Sequence, residues 1–481
     1  MAAMLKHPAG QFALLLLAAL IWRCDTFGDP SLHDDEAFYH AVAVAMHQGA
    51  LPYVDVWDRK PFGLFALYWL ITAVSFAPIA YQLAATLAAA TAGWAIAQLA
   101  QRWSTWQAGL LAGLTYILWL APLQGYGGQT PVFYNPFIAL AALLVVGALP
   151  ALRKGEAPRA VVWAMLLAGL GITIKTTALF EGAFLGLFAA FALSRSPLGL
   201  RGSMGTVAVW IIAGALPSLA IAAAYWGMGH WHEYWQAMVT SNLTKPADLY
   251  SGWIRLRLMY LALAPLLALA AFGLLNLPGD ARRFLLLWLG AAFVSLLAVA
   301  NFYLHYALPL LVPLCVAAAG FLSRRIAGPA AVLAMAAYSF WIEPPFRFEH
   351  TRKSQAAMTA LVQTVQAHGA GRGLLTFEGP TQLYRLTGKP FLTPLVFTMH
   401  LSALIEKDVS HLSTLSEMRR VLAQRPGVVV MSDPIINGPV NPETDALVRS
   451  YVAANCRFIG KQTILQRSQT IDLAVWGDCR S

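Results

Sequence analysis

Long apolar runs separated by short polar turns occupy the first 343 residues of the chain. The runs approach the ~20 residues that an α-helix needs to cross a bilayer. They are continuous, whereas the strands of a membrane β-barrel alternate apolar and polar positions. The pattern therefore predicts a polytopic α-helical membrane protein, with candidate crossings at residues 10–27, 61–100, 106–122, 135–150, 160–174, 176–194, 204–226, 259–277, 284–300, 305–321 and 326–342.

Positive charge sorts the turns between these runs into two sides. Lys and Arg gather on alternate turns, and such an excess marks the cytoplasmic side of a membrane protein. We expect one net crossing in 61–100, where 61–77 lies obliquely or in the interface. The pattern then predicts about eleven crossings, and up to thirteen, with the N-terminus in the cytoplasm and the C-terminus outside. The cytoplasmic turns carry Arg102, Arg153, Lys154, Arg159, Arg195, Arg201, Arg282, Arg283, Arg324 and Arg325.

The composition changes near Pro344, where the long apolar runs end. Helical and strand periodicities follow one another from there to the C-terminus. They predict a small soluble α/β domain over 344–481 on the external side, beyond a transmembrane domain over 1–343. The expected elements are helices at 350–368 and 415–424, short buried strands at 373–377 and 427–431, and further strand within 458–476.

Composition agrees with this membrane assignment. Hydrophobic residues make up 58% of the chain and charged residues 12%, against about 25% charged in soluble domains. The net charge of +10 does not indicate a nucleic-acid partner, because much of the Lys and Arg falls in the short turns that set topology.

Four cysteines do not form a disulfide framework. Cys24 and Cys315 lie in or beside apolar runs, while Cys456 and Cys479 share the polar C-terminal region. A disulfide between the last two requires that this region lies in an oxidising compartment.

The first external loop, residues 28–60, concentrates negative charge. Seven of the 23 acidic residues lie between Asp25 and Asp58, and the next one is Glu156. Acids at the start of a helix can simply cap it, but capping needs one acid rather than three. Carboxylates gathered outside a membrane could act as a general base, a cation site or a dock for a basic partner. The candidates are Asp34, Asp35, Glu36, Asp55 and Asp58.

Basic residues end the same loop, in the sequence Asp58-Arg59-Lys60-Pro61. Lys and Arg before an apolar helix often anchor it at the interface. Positive charge is depleted in short external loops, however. An anionic ligand would explain the two cations, and a phosphate is the natural anion at the level of lipid headgroups.

Ionisable and aromatic residues also mark the outer ends of later crossings. Lys175 lies between two predicted helices, and Glu181 lies inside the second. Such residues are functional candidates, although the two could neutralise each other. His305 and Tyr306 precede another apolar run and could meet a headgroup, whereas interfacial aromatics such as Tyr303 usually form a belt.

The loop near residue 230 holds a third set of polar side chains. His230 and His232 could ligate a metal ion together with acids such as Glu233. An external loop rich in Trp and Tyr is more often an interfacial helix. No phosphate-binding glycine loop, nucleophile elbow or zinc motif is present, which argues against ATP-driven transport and serine hydrolysis.

These residues resemble a membrane glycosyltransferase of the GT-C class. The chain is similar to the bacterial aminoarabinose transferases of lipid A and to the family 39-like protein O-mannosyltransferases. The likeness spans most of residues 10–320 and depends on the order and spacing of short motifs. They are Asp35-Glu36-Ala37-Phe38-Tyr39, Asp58-Arg59-Lys60-Pro61, Thr173-Ile174-Lys175, and His305-Tyr306 followed by Leu308-Pro309 and Pro313.

The resemblance implies an inverting sugar transfer from a polyprenyl-phosphate donor. Asp35 would be the general base, with Asp34 and Glu36 as further acidic candidates. Lys60, Lys175 and Tyr306 match positions that hold the donor's phosphate, and Arg59 and His305 lie beside them. The chain departs from the pattern in three places: Arg59 is inserted before the lysine, Phe62 replaces a usual second proline, and Thr176 follows Lys175 where glycine is common.

The implied partners are the lipid donor, the bilayer and an envelope acceptor that is a lipid, a glycan or a protein. Such a reaction needs no nucleotide or metal, although the acid cluster could accept a divalent cation. The predicted location is the bacterial inner membrane, with the chemistry on the periplasmic face. Two alternatives are a transporter or flippase of a lipid-linked saccharide, which should show related halves, and a scaffold whose acidic loop docks a basic partner.

Overall fold

The structure, a computed structural model, describes residues 5–244, 249–299, 301–369 and 371–480. Helices dominate it. As far as residue 227 they are α1 (Pro8–Arg23), α2 (Asp34–Met46), α3 (Phe62–Thr72), α4 (Pro78–Ala100), α5 (Trp106–Trp119), α6 (Thr130–Arg153), α7 (Arg159–Ile174), α8 (Ala178–Ser194) and α9 (Gly199–Gly227).

The later helices are α10 (Trp231–Trp235), α11 (Ser241–Thr244), α12 (Leu249–Leu275), α13 (Gly279–Leu297), α14 (Leu311–Leu322), α15 (Ala327–Ile342), α16 (Phe348–His368), α17 (Gln382–Thr387), α18 (Thr414–Ala423) and α19 (Pro442–Asn455). The strands are β1 (Leu374–Phe377), β2 (Val428–Ser432), β3 (Arg457–Leu465) and β4 (Thr470–Gly477). Short 3-10 turns lie at Cys24–Thr26, Ala121–Leu123, Leu304–Leu310 and Leu404–Glu406, and a π turn at Gln236–Thr240.

Each predicted crossing contains an apolar helix. In the part of the chain that the structure describes, six are long and apolar enough to cross a membrane: Pro8–Thr26, Pro78–Ala100, Thr130–Arg153, Gly199–Gly227, Ser251–Leu275 and Leu304–Leu322. The protein is therefore a multi-pass membrane protein. Helix α3 has 11 residues, or about 16 Å of rise, roughly half of a bilayer's apolar thickness. The number of crossings and the side of each terminus stay predictions.

Small residues allow close helix contact between α12 and α14. A Cβ added to Gly273 would lie 2.1 Å from the carbonyl oxygen of Ala317, and one added to Gly320 would lie 2.2 Å from that of Gly273. Within a membrane, helices associate largely through such packing. Larger side chains at these two positions would force the helices apart.

The chain folds into two compact units. Unit 1 comprises Met1–Asp25, Leu83–Ala223 and Ala247–Phe346, and unit 2 comprises Thr26–Gln82, Ala224–Pro246 and Arg347–Ser481. One division lies next to the predicted boundary at residue 344. Unit 2 also contains the acidic loop, which was predicted to belong to the transmembrane domain. The grouping has a physical cause, because apolar side chains of the loop, such as Phe38, pack on C-terminal residues, such as Phe397.

The C-terminal region has a four-stranded sheet of order β1-β2-β4-β3 within the described residues. Strands β1 and β2 are parallel, and the other neighbours are antiparallel. Every residue of β1 and β2 is buried, as the apolar sequences LLTF and VVVMS predict. Strand β3 is mostly exposed or half-buried along its length.

Most predicted elements of this region have counterparts in the structure. The predicted helices at 350–368 and 415–424 correspond to α16 and α18, and both short buried strands are present. The segment 458–476, predicted to contain further strand, forms the antiparallel pair of β3 and β4. Helix α19 was missed, although Asn441 caps it and Pro442 occupies its first turn, a common start signal. Cys456 and Cys479 form a disulfide.

Candidate active site

The acidic triplet of the loop forms the first turn of α2. His33 is the N-cap residue in an extended conformation, and its Nδ1 accepts a hydrogen bond from the backbone N–H of Asp35 at 3.2 Å. Carboxylates in this position interact favourably with the helix dipole. Capping by the imidazole leaves the carboxylates available for other partners.

Asp35 and Lys60 meet side chain to side chain. The Nζ of Lys60 lies 3.3 Å from Oδ1 of Asp35, and it also lies 5.2 Å from the centre of the Tyr39 ring. The side chains of Asp35 and Lys60 are 12% and 24% exposed, so the pair keeps some access to solvent. A carboxylate and an ammonium group in contact can simply neutralise each other. They can also take part in one reaction, in which the carboxylate accepts a proton and the ammonium group stabilises a leaving anion.

Packing between α2 and α3 brings the pair together. Phe38 and Tyr39 on α2 make edge-to-face contacts with Phe65 on α3, with ring centres 6.2 and 6.4 Å apart. Lys60 precedes Pro61, the N-cap residue of α3. A residue before proline favours extended backbone. Lys60 therefore enters α3 in a defined direction, beside the helix that carries Asp35.

Asp58 fixes the turn in front of Lys60. Its Oδ1 accepts the backbone N–H of Lys60 at 2.8 Å, and its Oδ2 lies 3.9 Å from Nε2 of His400. Both side chains are buried. The hydroxyl of Tyr53 donates to the carbonyl oxygen of Lys60 at 2.8 Å. Asp58 therefore stabilises the turn in front of Lys60. The sequence had indicated it only as a further candidate for the catalytic acids.

Burial lowers the pKa of His400 from 6.5 to about 4, against the opposing charges of Glu406 and Asp58. Burial likewise lowers the pKa of His40 to about 3, and the charge of Arg385 adds to this effect. Both imidazoles are therefore neutral in the folded protein at neutral pH. Because the unfolded chain protonates them first as pH falls, acid favours unfolding.

We therefore expect thermal stability to fall as pH decreases from 6.5 towards 4, with no such loss above 6.5. His400 alone should contribute about 3 kcal/mol to this loss, since one pKa unit corresponds to about 1.4 kcal/mol. The measurement is the melting temperature of the detergent-purified protein across this pH range. His400→Gln should flatten the slope, whereas His230→Gln, at a side chain that is 37% exposed, should leave it unchanged. Equal slopes in both variants would contradict the assignment.

Arg59 forms an ion pair with Glu406, another side chain of this protein. Its NH1 and NH2 donate to the two carboxylate oxygens of Glu406 at 3.1 and 2.7 Å, and its Nε donates to Ser241 at 2.7 Å. The guanidinium also lies 5.5 Å from the Trp57 ring centre. A bidentate pair of this kind has high geometric specificity. The predicted contact of Arg59 with a donor phosphate stays a prediction.

The remaining acidic candidates differ in their surroundings. Asp34 accepts a hydrogen bond from Gln466 at 2.5 Å, and burial raises its pKa. Glu36 is fully buried, which makes it the least accessible of the triplet. Asp55 is exposed, and its carboxylate accepts the backbone N–H of Leu51 at 2.8 Å. Of the predicted acids, Asp35 combines access to solvent with a cationic partner.

Unit 1 contains three of the predicted phosphate ligands, Lys175, His305 and Tyr306. The Nζ of Lys175 lies 4.2 Å from the centre of the Tyr306 ring. The ring of His305, buried to 3% exposure, packs edge-to-face on Tyr306 with centres 4.7 Å apart. Lys175 is the C-cap residue of α7 and has an extended backbone conformation. Its side chain therefore does not follow the direction of the helical side chains before it. The structure thus brings Lys175 next to His305 and Tyr306, which lie about 130 positions further along the chain.

Arg255 extends this group of residues. Its guanidinium lies 4.2 Å from the centre of the Tyr303 ring, and its NH1 donates to the carbonyl oxygen of Asn301 at 3.1 Å. Arg255 was not among the predicted site residues. Its occurrence in a largely apolar helix, α12, is the signal that could have identified it.

Histidines near residue 230 do not form a metal centre in the described part of the chain. The rings of His232 and His411 lie 6.4 Å apart, and Nδ1 of His230 lies 3.7 Å from Glu233. Among the residues that the structure describes, no three His, Cys, Asp or Glu side chains are grouped as metal ligands would be.

Solved structures that align with most of this chain are known. The structure of ArnT from Cupriavidus metallidurans bound to undecaprenyl phosphate aligns with a TM-score of 0.60 and 13% identity, over 96% of this chain and 97% of that one. The arabinosyltransferase EmbB from Mycobacterium smegmatis aligns at 0.47 and 15% identity, over 86% and 40% of the two chains. The oligosaccharyltransferase from Archaeoglobus fulgidus aligns at 0.49 and 9% identity, over 88% and 69%.

The chain has a GT-C fold. The resemblance that its motifs indicated is confirmed at this level. No protein-family model matches the sequence, and no curated protein does so either. The GT-C fold is therefore evident from the course of the backbone, whereas activity has to be argued from the side chains at the site.

Proposed function

We propose that this GT-C protein is an inverting glycosyltransferase that moves a sugar from a polyprenyl-phosphate donor to an envelope acceptor on the periplasmic face of the inner membrane. The contact between Asp35 and Lys60 carries the proposal. It places a candidate base beside a candidate cation for the leaving phosphate, on a protein that lies in the membrane where such a donor resides.

The reaction balances with these two groups. The Asp35 carboxylate takes the proton of an acceptor group, and the freed electron pair of the acceptor attacks the anomeric carbon of the sugar. The bond from that carbon to the phosphate oxygen breaks, and its electrons remain on the polyprenyl phosphate. A positioned base typically contributes ~100- to 10,000-fold. Attack opposite to the leaving group inverts the anomeric configuration, and no nucleotide or metal enters the balance.

Lys60 stabilises the charge that develops on the leaving phosphate. Fixed cations act most strongly where water is restricted, and the Lys60 side chain is 24% exposed. Without donor, its ammonium group contacts Asp35. A bound phosphate would compete for this ammonium group, so donor binding would free the carboxylate to accept a proton. The role of Lys175, Tyr306 and His305 as phosphate ligands, implied by the resemblance, stays a prediction.

Two further observations support the choice of donor and side. The solved ArnT structure that shares the fold contains undecaprenyl phosphate, which is a polyprenyl phosphate. The Cys456–Cys479 disulfide belongs in an oxidising compartment, and the charge pattern of the turns places the same region outside. The identity of the sugar, hexose or pentose, is left to experiment.

A donor panel tests the proposal. Purified protein is incubated with polyprenyl-phosphate sugars, or with nucleotide sugars, and with envelope membranes from a strain that lacks the gene. We expect labelled sugar to enter an envelope fraction only with a polyprenyl-phosphate donor, with release of one polyprenyl phosphate per sugar. Transfer from nucleotide sugars alone, or donor movement across vesicles without transfer, would contradict the proposal.

A further inference from the structure

The turn from Trp57 to Lys60 is held by one segment of the C-terminal region, residues 394–406. The backbone N–H of Trp57 donates to the carbonyl oxygen of Pro394 at 2.9 Å. The loop and the segment lie more than 300 positions apart in the sequence, and both belong to unit 2. The backbone of the turn that carries Lys60 is therefore hydrogen-bonded to a segment outside the loop.

His400 packs against two residues of the turn, Trp57 and Asp58. Its ring packs on Trp57 with centres 5.0 Å apart and on Phe397 at 5.1 Å, and its Nε2 faces Asp58. Phe397 in turn packs on Phe38 of α2, with ring centres 5.1 Å apart. The same short segment therefore contacts both the turn that carries Lys60 and the helix that carries Asp35.

Glu406 makes the strongest connection. It receives two hydrogen bonds from Arg59, and the side chains of Arg59 and Glu406 are 10% and 8% exposed. A bidentate contact fixes the orientation of a guanidinium as well as its position. Since Arg59 directly precedes Lys60, a fixed Arg59 restricts the backbone that directs the Lys60 side chain towards Asp35.

We infer that residues 394–406 form a positioning segment for the proposed transferase site, and that Glu406 is a positioning residue that acts through Arg59 on Lys60. The inference rests on the proposed function and assigns a catalytic contribution to the C-terminal region. Its physical basis is that a displacement of about 1 Å in a reacting group can cost about 100-fold in rate.

Glu406→Gln tests the inference in the full-length protein. We expect sugar transfer to fall by about 10- to 100-fold, mainly in kcat. The melting temperature should also fall, because the Arg59 guanidinium keeps its buried charge when Glu406 loses its own. Glu406→Asp should recover part of the loss because it keeps the charge. The matched control is Asp445→Asn, which removes a carboxylate that pairs with Arg449 at 2.9 Å on α19. This control should transfer sugar at the normal rate.

A double variant separates positioning from a general structural role. Residues that act as one unit give non-additive losses. In a Lys60→Ala background, Glu406→Gln should therefore cost less than twofold, because the group it positions is gone. A full additional loss in this background would overturn the inference. Should Glu406→Gln fail to fold, Arg59→Gln with Glu406→Gln removes both buried charges, and the same comparison applies.

Backbone hydrogen exchange gives a readout that does not depend on activity. Exchange at residues 57–60 should become at least about tenfold faster in Glu406→Gln and stay unchanged in Asp445→Asn. Unchanged exchange in both variants would overturn the positioning role even if transfer is observed. An inactive wild-type protein with faster exchange in Glu406→Gln would instead reject the proposed function and retain the structural link.

Discussion

Replacement of Asp35 by asparagine is expected to lower sugar transfer by about 100- to 10,000-fold while the protein stays folded. Asparagine has the same shape and can still accept a hydrogen bond from Lys60, but its amide does not take a proton at neutral pH. The Asp35 and Lys60 side chains are 12% and 24% exposed, so the loss of this ion pair should also lower stability, and the melting temperature of the variant shows whether it still folds. The measurement is the rate of transfer from a polyprenyl-phosphate sugar under saturating donor.

Two variants of the same loop serve as controls for Asp35. Asp55→Asn removes an exposed carboxylate that accepts the N–H of Leu51, and it should retain normal transfer. Asp34→Asn removes the half-buried neighbouring carboxylate that Gln466 contacts, and we expect a smaller loss than for Asp35. Full activity of Asp35→Asn combined with an inactive Asp34→Asn would move the base to Asp34 and contradict the assignment.

Lys60→Ala should reduce transfer by about 100- to 1,000-fold, as removal of one group that stabilises developing charge typically does. The reduction should appear in both the donor KM and kcat, because the proposed ammonium contact exists in the bound donor and strengthens as the phosphate leaves. Steady-state kinetics with varied donor concentration separates these two parameters.

Two further variants show whether the effect of Lys60→Ala depends on the positive charge and on its position in the protein. Lys60→Arg keeps the positive charge and should retain more activity than Lys60→Ala. Lys407→Ala removes a cation that forms an exposed ion pair with Glu443 in the same unit, and it should behave as wild type. Donor kinetics of Lys60→Ala that match those of Lys407→Ala would remove Lys60 from the phosphate site.

The membrane helices were predictable because their signal is local. Apolar runs and their polar turns identify α1, the helices from α3 to α9 and those from α12 to α15, although α12 begins ten residues before the predicted 259. The contact between Asp35 and Lys60 was also within reach of sequence reasoning. Only 25 positions separate them, and both lie at the starts of consecutive helices.

The partners of Arg59 and Asp58 could not be predicted from the sequence. Arg59 is 347 positions from Glu406, and nothing in the local pattern of either segment indicates the other. Such a pairing depends on how the chain folds back on itself, which is a property of tertiary packing. The same reason explains why the acidic loop was assigned to the transmembrane domain rather than grouped with residues 347–481.

The predicted phosphate ligands illustrate a third case. Lys175 and Tyr306 were selected from separate short motifs, and the structure places the ammonium group against the ring. Arg255 was not among the predicted phosphate ligands, because the stretch from 230 to 257 was interpreted as an external loop rich in Trp and Tyr, which is more often an interfacial helix. Its contact with Tyr303 is visible only in three dimensions.

The most direct test of the roles of Asp35 and Lys60 is a cryo-EM structure of the full-length protein with bound polyprenyl phosphate. We expect the phosphate to lie within about 3 Å of the Lys60 ammonium nitrogen, Lys60 to turn from the Asp35 carboxylate towards it, and Asp35 to face open space for an acceptor. A phosphate bound elsewhere, with the contact between Asp35 and Lys60 unchanged, would exclude these roles.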